Sequence, residues 1–170
     1  MEPTNRERFV SKYQVISENV NIGEESQISS FVNLYGCTIG NSCTIGSFVE
    51  IQSDVHIGDR CKIGSHTFIC SGVDIEDDVF IGHNVSFVND RYPKSTTHDG
   101  IVKGPDDWNL ERTLIRRGAS IGTGATIMCG ITIEVNSIIG AGAVVTSDTE
   151  PGRTYIGNPA RIHNLDSKMT

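Results

Sequence analysis

The chain has 170 residues, which suits one domain, and a formal net charge of −7. That balance argues against broad binding to nucleic acid or to anionic membranes, and leaves small anionic ligands to any local cluster of basic residues. The start, Met1-Glu2-Pro3-Thr4-Asn5-Arg6, lacks the apolar core of a signal peptide, no run reaches membrane-spanning length, and no paired C-x-x-C marks a zinc site, so a reducing cytoplasm is the expected compartment.

Residues 1–14 are polar and charged, with Phe9, Val10 and Tyr13 as the expected docking points of a lead-in or cap. From there large apolar residues recur: Ile16, Ile22, Ile28 and Leu34, then, after a one-residue slip at Tyr35-Gly36, every sixth residue from Ile39 to Phe87. Gly follows directly at Gly40, Gly46, Gly58, Gly64 and Gly82, and a smaller residue stands two places before each apolar one, Cys37, Cys43, Val49 and Cys61 among them. The Cys residues in those places read as small hydrophobes in a core.

The period stops after Phe87. Residues 88–112 hold Pro93, Pro105, Trp108 and many charges, and an aperiodic insertion of this length in a compact repeat is usually functional. The period resumes as Ile115, Ile121, Ile127, Ile133, Ile139 and Val145, and residues 148–170 are expected to form a C-terminal cap and tail on a single domain spanning 1–170.

A six-residue period fits neither a helix nor a plain strand, because 3.6 residues per turn drifts out of phase and simple alternation singles out no sixth residue. It fits short strands joined by regular corners, with the large residue and the smaller one two before it pointing inward. The Gly after each large residue is expected to permit the tight corner. The result is a β-solenoid whose coils bury their inward residues against one another.

Three hexads make an eighteen-residue coil. That register stacks His66 beneath Asn84 and Ser65 beneath His83, and predicts a polar cluster on one edge just before the insertion. His56, His98 and His163 are expected at the surface. Arg91, Lys94, Lys103, Arg112, Arg116 and Arg117 gather basic charge in and beside the insertion.

The hexad of large apolar residue, Gly, two variable, one small and one variable resembles the hexapeptide-repeat acyltransferase superfamily over nearly the whole chain. That resemblance implies an all-β fold, a left-handed parallel β-helix, and a homotrimer with active sites between subunits. Three segments, Glu76–Pro93, Thr113–Gly122 and Gly157-Asn158-Pro159-Ala160-Arg161, resemble N-acetyltransferases of nucleotide-linked amino sugars. The resemblance is strongest to those acting at the C3 amine of dTDP-3-amino-3,6-dideoxyhexoses, of galactose or glucose type, in cell-surface glycan synthesis such as O-antigen.

It implies acetyl-CoA as cosubstrate, a nucleotide-linked amino sugar as partner, and no metal. His83 and Asn84 are then expected to face the reacting amine, His83 as base or orienter and Asn84 holding the sugar or the amine, although some relatives let the coenzyme A sulfur take the proton. His66, Asn89, Asp90, Arg91, Tyr92 and Lys94 are expected to bind substrate. Arg91 or Lys94 would meet the pyrophosphate and Tyr92 a base or sugar face, while Asp90 could orient a histidine or accept from the amine. Gly122, Gly124, Ala125, Gly140, Ala141, Gly142, Ala143 and Arg161 are expected to line the acetyl-CoA site. Alternative functions are acetylation of a UDP-linked 3-amino glucuronate or of another acceptor, a β-helical zinc enzyme, and a non-catalytic scaffold.

Overall fold

The computed structural model describes residues 13–104 and 106–163, so the expectations for Phe9, Val10, Pro105 and the tail beyond residue 163 lie outside the described residues. Among the described residues 21 strands, each two or three residues long, stack into three sheets of seven, six and eight strands, here faces A, B and C. The chain visits A, B and C in turn, and each strand pairs in parallel with the equivalent strand of the next coil: Glu50 with Phe68, Phe68 with Ser86, Ile45 with Ile63. This is the expected parallel β-solenoid, consistent with a left-handed β-helix.

Inward residues form continuous columns. Ile45, Ile51, Ile69, Ile81, Ile115, Ile121, Ile127 and Ile133 are fully buried, as are Ala119, Ala125 and Ala143 in the small-residue columns. Cys37, Cys43 and Cys61 are buried in the same way. Burial pushes the Cys37 thiol up to about 11 and the Cys70 thiol up to about 12, which keeps both protonated. Buried hydroxyls are paired, as where Ser137 donates to the Glu150 carbonyl at 2.9 Å.

The glycine after each large residue has a different cause from the expected one. The left-handed turn residue lies two places later, at Ser42, Phe48, Arg60, His66 and Asn84, all with φ between 55° and 63°. Gly40 and Gly64 are needed because a Cβ would stand 2.6 Å from the carbonyl carbon of Gly58 and 2.5 Å from that of Gly82, one coil away. Close approach between coils, not the turn, excludes a side chain there.

The insertion leaves between Phe87 on face A and Thr113 on face B without disturbing the stack, since Phe87 pairs onward with Ile127 and Val73 with Thr113. It folds a short hairpin of its own, bridged at Thr96 and Val102 and turning at Gly100. At the far end Thr154–Ile156 extends face C and Arg161–Ile162 turns back antiparallel against it, which covers the last coil. Among the described residues no helix is long and apolar enough to cross a membrane.

Candidate functional site

The three corners of the prism carry different chemistry. The B–C corner is a charged ladder: Asp59 Oδ1 accepts the Asn41 N–H at 2.7 Å, Asp77 Oδ1 accepts the Asp59 N–H at 3.0 Å, and Arg60 and Arg117 close over Asp77 and Asp78. These groups satisfy one another.

The A–B corner carries the insertion, clamped at both roots. Arg91 donates to Glu111 at 2.9 Å and to the Cys129 carbonyl at 2.7 Å. Arg112 donates to Asp54 at 2.6 Å and to Asp74 at 3.0 Å, and Asp74 also meets His56 Nδ1 at 3.0 Å. Leu110 fills the space over Gly72, where a Cβ would stand 2.9 Å from its Cδ1.

The C–A corner differs from both. Its left-handed position is filled, coil by coil, by Phe31, Phe48, His66, Asn84, Gly124 and Gly142. A bulky residue at positive φ costs on the order of 1–3 kcal/mol, and here two consecutive phenylalanines bear it while about half exposed, at 49% and 51%. Their rings stack with Tyr13 below and His66 above at centroid separations of 5.5, 5.0 and 4.7 Å. The sequence carries a signal for this: Ile28-Ser-Ser-Phe31, Ile45-Gly-Ser-Phe48 and Ile63-Gly-Ser-His66 place the ring at one constant offset. Sequence reasoning passed over it because it attended to the inward columns.

One place before His66 and Asn84 in this corner stand Ser65 and His83. The Ser65 backbone N–H donates to His83 Nδ1 at 3.0 Å. A neutral imidazole holds one proton, so with Nδ1 accepting, the proton sits on Nε2. That Nε2–H has no partner among the described residues, and neither have the side chains of His66 and Asn84 in terms of hydrogen bonds. The backbone of the cluster is fixed by Asn84 N–H to Ser65 carbonyl at 3.0 Å and Gly124 N–H to His83 carbonyl at 2.8 Å.

Above the cluster the corner is open. Gly124 and Gly142 have positive φ, yet a Cβ on either would meet nothing within 4 Å. Of the left-handed glycines at the other coil corners, Gly36 is crowded by Ser53, Gly72 by Leu110, Gly118 by Asn136 and Gly130 by Glu111, while Gly152 in the last coil is open like Gly124 and Gly142. Gly122 and Gly140 are close-packed against the next coil and Ala141 is exposed, whereas Ala125 and Ala143 are fully buried, backbone included, and offer a ligand no surface. Arg161 lies exposed just beyond the turn that caps this same corner, where the Gly157 carbonyl accepts the Val144 N–H at 2.9 Å and Ala160 N–H donates to the Val144 carbonyl at 2.7 Å.

The loop residues separate into two groups. Asn89 ties to the Ser71 carbonyl at 3.4 Å, Asp90 Oδ1 accepts the Tyr92 N–H at 2.8 Å, and Arg91 is committed to Glu111, so these three shape the loop. Tyr92 is 77% exposed and Lys94 is exposed with no ion pair among the described residues. Loop and histidine cluster lie on adjacent corners, separated by face A. Among the described residues no three His, Cys, Asp or Glu side chains of one chain converge to hold a metal ion.

Residues 36–71 match the family model for the bacterial transferase hexapeptide (six repeats), and residues 115–147 match the hexapeptide repeat of succinyl-transferase. The chain is 26% identical over 153 residues to the bifunctional protein GlmU of Nitratidesulfovibrio vulgaris (strain DP4), which covers 88% of this chain and 33% of that protein. Over 59 residues it is 41% identical to the dTDP-3-amino-3,6-dideoxy-alpha-D-galactopyranose 3-N-acetyltransferase of Aneurinibacillus thermoaerophilus, covering 35% of this chain and 31% of that enzyme. The chain thus spans about a third of the length of the curated relatives it matches. Among solved structures it superposes on AntD, an N-acyltransferase from Bacillus cereus in complex with dTDP and 3-hydroxybutyryl-CoA, with a TM-score of 0.73 at 20% identity, covering 84% of this chain and 81% of AntD. At that identity the likeness is one of fold. The chain therefore carries hexapeptide repeats of the kind found in bacterial transferases over residues 36–71 and 115–147, and over part of its length it resembles a dTDP-3-amino-3,6-dideoxyhexose N-acetyltransferase.

Proposed function

We propose that the chain is an acyl-CoA-dependent N-acyltransferase that transfers acetyl to the C3 amine of a dTDP-linked 3-amino-3,6-dideoxyhexose. The observation that carries this reading is the C–A corner, where an unpartnered His83 Nε2–H and Asn84 adjoin an open strip over Gly124 and Gly142 that leads to Arg161. A thin thioester arm fits such a strip, because the two glycines leave backbone exposed where Phe, His and Asn stand in lower coils. Arg161 is the cation placed for the coenzyme's phosphates. The activity of the Aneurinibacillus relative and the dTDP and acyl-CoA bound by AntD support the acceptor and the donor.

In the reaction the amine nitrogen attacks the thioester carbonyl. A C–N bond forms, the carbonyl oxygen gains negative charge, the C–S bond then breaks, and the departing thiolate takes the amine proton to leave as coenzyme A thiol. His83, with its proton on Nε2, serves as hydrogen-bond donor to the developing oxyanion or to the acceptor, which is the orienting role rather than the base. Asn84 and His66 hold the sugar. Tyr92 and Lys94 serve the nucleotide and pyrophosphate, with Asn89, Asp90 and Arg91 holding the loop that presents them.

Because loop and cluster lie on different corners of one prism, the loop of a second copy completes each site, and the assembly is a homotrimer with interfacial sites. Both substrates belong to the cytoplasm, and the product would serve cell-surface glycan synthesis.

The test is mass spectrometry of products after incubation with acetyl-CoA and dTDP-3-amino-3,6-dideoxygalactose, its gluco epimer, or a UDP-linked 3-amino glucuronate. Faster gain of one acetyl group on a dTDP sugar supports the proposal and identifies the epimer. Acetylation of the UDP sugar alone moves the acceptor, and acetylation of none of the three overturns the reading.

A further inference from the structure

We propose that the exposed aromatic column at the C–A corner is a positioning device, in which Phe48, backed by Phe31 and Tyr13, holds the His66 imidazole flat and turned toward the acceptor. The inference rests on the acyltransferase reading above and names residues that it does not need.

Two features set the column apart from ordinary surface packing. Phe31 and Phe48 take left-handed backbone conformations, at φ of 63° and 60°, that bulky side chains avoid, and within their own chain they stay about half exposed there. The neighbouring corners fill the equivalent position with small, polar or charged residues such as Ser42, Asp54 and Asp78. What the phenylalanines do gain is one another and His66: Phe31 and Phe48 lie within 6° of parallel, and Phe48 and His66 within 13° at 4.7 Å. Ring stacking fixes the plane of the imidazole without using either of its nitrogens. His66 has no hydrogen-bonded side-chain partner among the described residues, so both nitrogens stay available in a fixed direction.

The coil geometry says what that direction serves. His66 and Ser65 are adjacent in one coil, and the next coil places Asn84 and His83 above them, with Ser65 bonded to His83. Four polar groups therefore share one corner, and the ring stack ends at them, since the column continues as Asn84 and then as open glycine. An imidazole that turned freely about its side-chain bonds would lose entropy on meeting the acceptor, and the stack removes that loss before binding.

The test pairs a spectroscopic readout with a kinetic one on Phe48→Leu and Phe48→Tyr. Stacking on Phe48 shifts the His66 ring protons upfield in the NMR spectrum. Phe48→Leu abolishes that shift and raises KM for the nucleotide amino sugar by about tenfold, with KM for acetyl-CoA unchanged, and Phe48→Tyr restores both. An active Phe48→Leu enzyme with an unchanged acceptor KM, or with both KM values raised alike, overturns the positioning role, as does a wild-type spectrum without the shift. If the wild-type protein acetylates no nucleotide amino sugar, the acyltransferase reading falls and the positioning role falls with it. The spectrum distinguishes that case, because the ring shift persists in an inactive protein that still has the stack.

Discussion

The Ser65 backbone N–H lies 3.0 Å from His83 Nδ1, and this contact decides what the histidine offers a substrate. Ser65 belongs to the coil below, so the repeat itself sets the tautomer: an imidazole stacked over the preceding coil's amide accepts through Nδ1 and exposes Nε2–H. To act as a base through Nε2 the ring would have to give up that bond or its tautomer.

A substitution separates donor from base. Glutamine can present an amide N–H near the position of Nε2–H but cannot take a proton near neutral pH. Phe and Ala cannot donate at all. His83→Ala should lower kcat by about a hundredfold, the scale of one lost donor to an oxyanion. His83→Gln should stay within about tenfold of wild type, and both should keep the wild-type shape of kcat against pH. If His83→Gln is as poor as His83→Ala and the profile loses its limb near neutrality, His83 is the base.

The open glycines make a second prediction, in which fold and ligand effects part company. At Gly124 the left-handed φ of 72° is near those of Asn84 and Asn136, and a side chain has room. Gly124→Asn should therefore cost less than about 1 kcal/mol of stability, since Asn visits this conformation readily. It should nevertheless raise KM for acetyl-CoA at least tenfold by filling the strip, with acceptor KM little changed. Gly82→Ala provides the contrast, because its Cβ would stand 2.6 Å from the Thr123 backbone nitrogen and cost about 1–3 kcal/mol of overpacking. Thermal unfolding and initial rates on the two variants check this. Unchanged coenzyme affinity in Gly124→Asn would remove the strip from the donor site.

Legibility in the sequence followed repetition. Ile39 through Phe87 could be read as inward columns because each hexad repeats one packing problem, and the eighteen-residue coil placed Ser65 under His83 correctly. The left-handed corners at Glu25, Phe31, Phe48 and Arg60 were not legible, because none of these is a residue that signals positive φ. The aperiodic insertion hid its own wiring. Arg91 reads as a phosphate partner until Glu111 is seen beside it, and nothing in residues 88–112 announces that pairing. The insertion follows the histidine cluster closely in sequence, yet a single hexad moves the chain across face A to the next corner.

The Arg91–Glu111 clasp gives a pH prediction. The Arg91 guanidinium holds the Glu111 carboxyl below its ordinary 4.5, first through their hydrogen bond. A carboxylate whose folded value is depressed contributes stability that is fully present above the unfolded value and is lost as pH falls through the folded one. The loop should therefore stay anchored from neutral pH down to about 4.5 and loosen below it. Trp108, the single tryptophan, sits half-buried in the same loop and reports this by fluorescence. Its emission should be flat from pH 7 to about 5 and shift below 4.5, less sharply in high salt because the pair is partly exposed. Glu111→Gln should show the low-pH emission already at pH 7 and lose the transition, with a raised acceptor KM as Tyr92 and Lys94 lose their support. A transition retained in Glu111→Gln would assign it to another carboxylate. Asp78, held low chiefly by its hydrogen bond to Arg60, lies on the B–C corner away from the loop, and Asp78→Asn serves as the control that should leave the Trp108 signal unchanged.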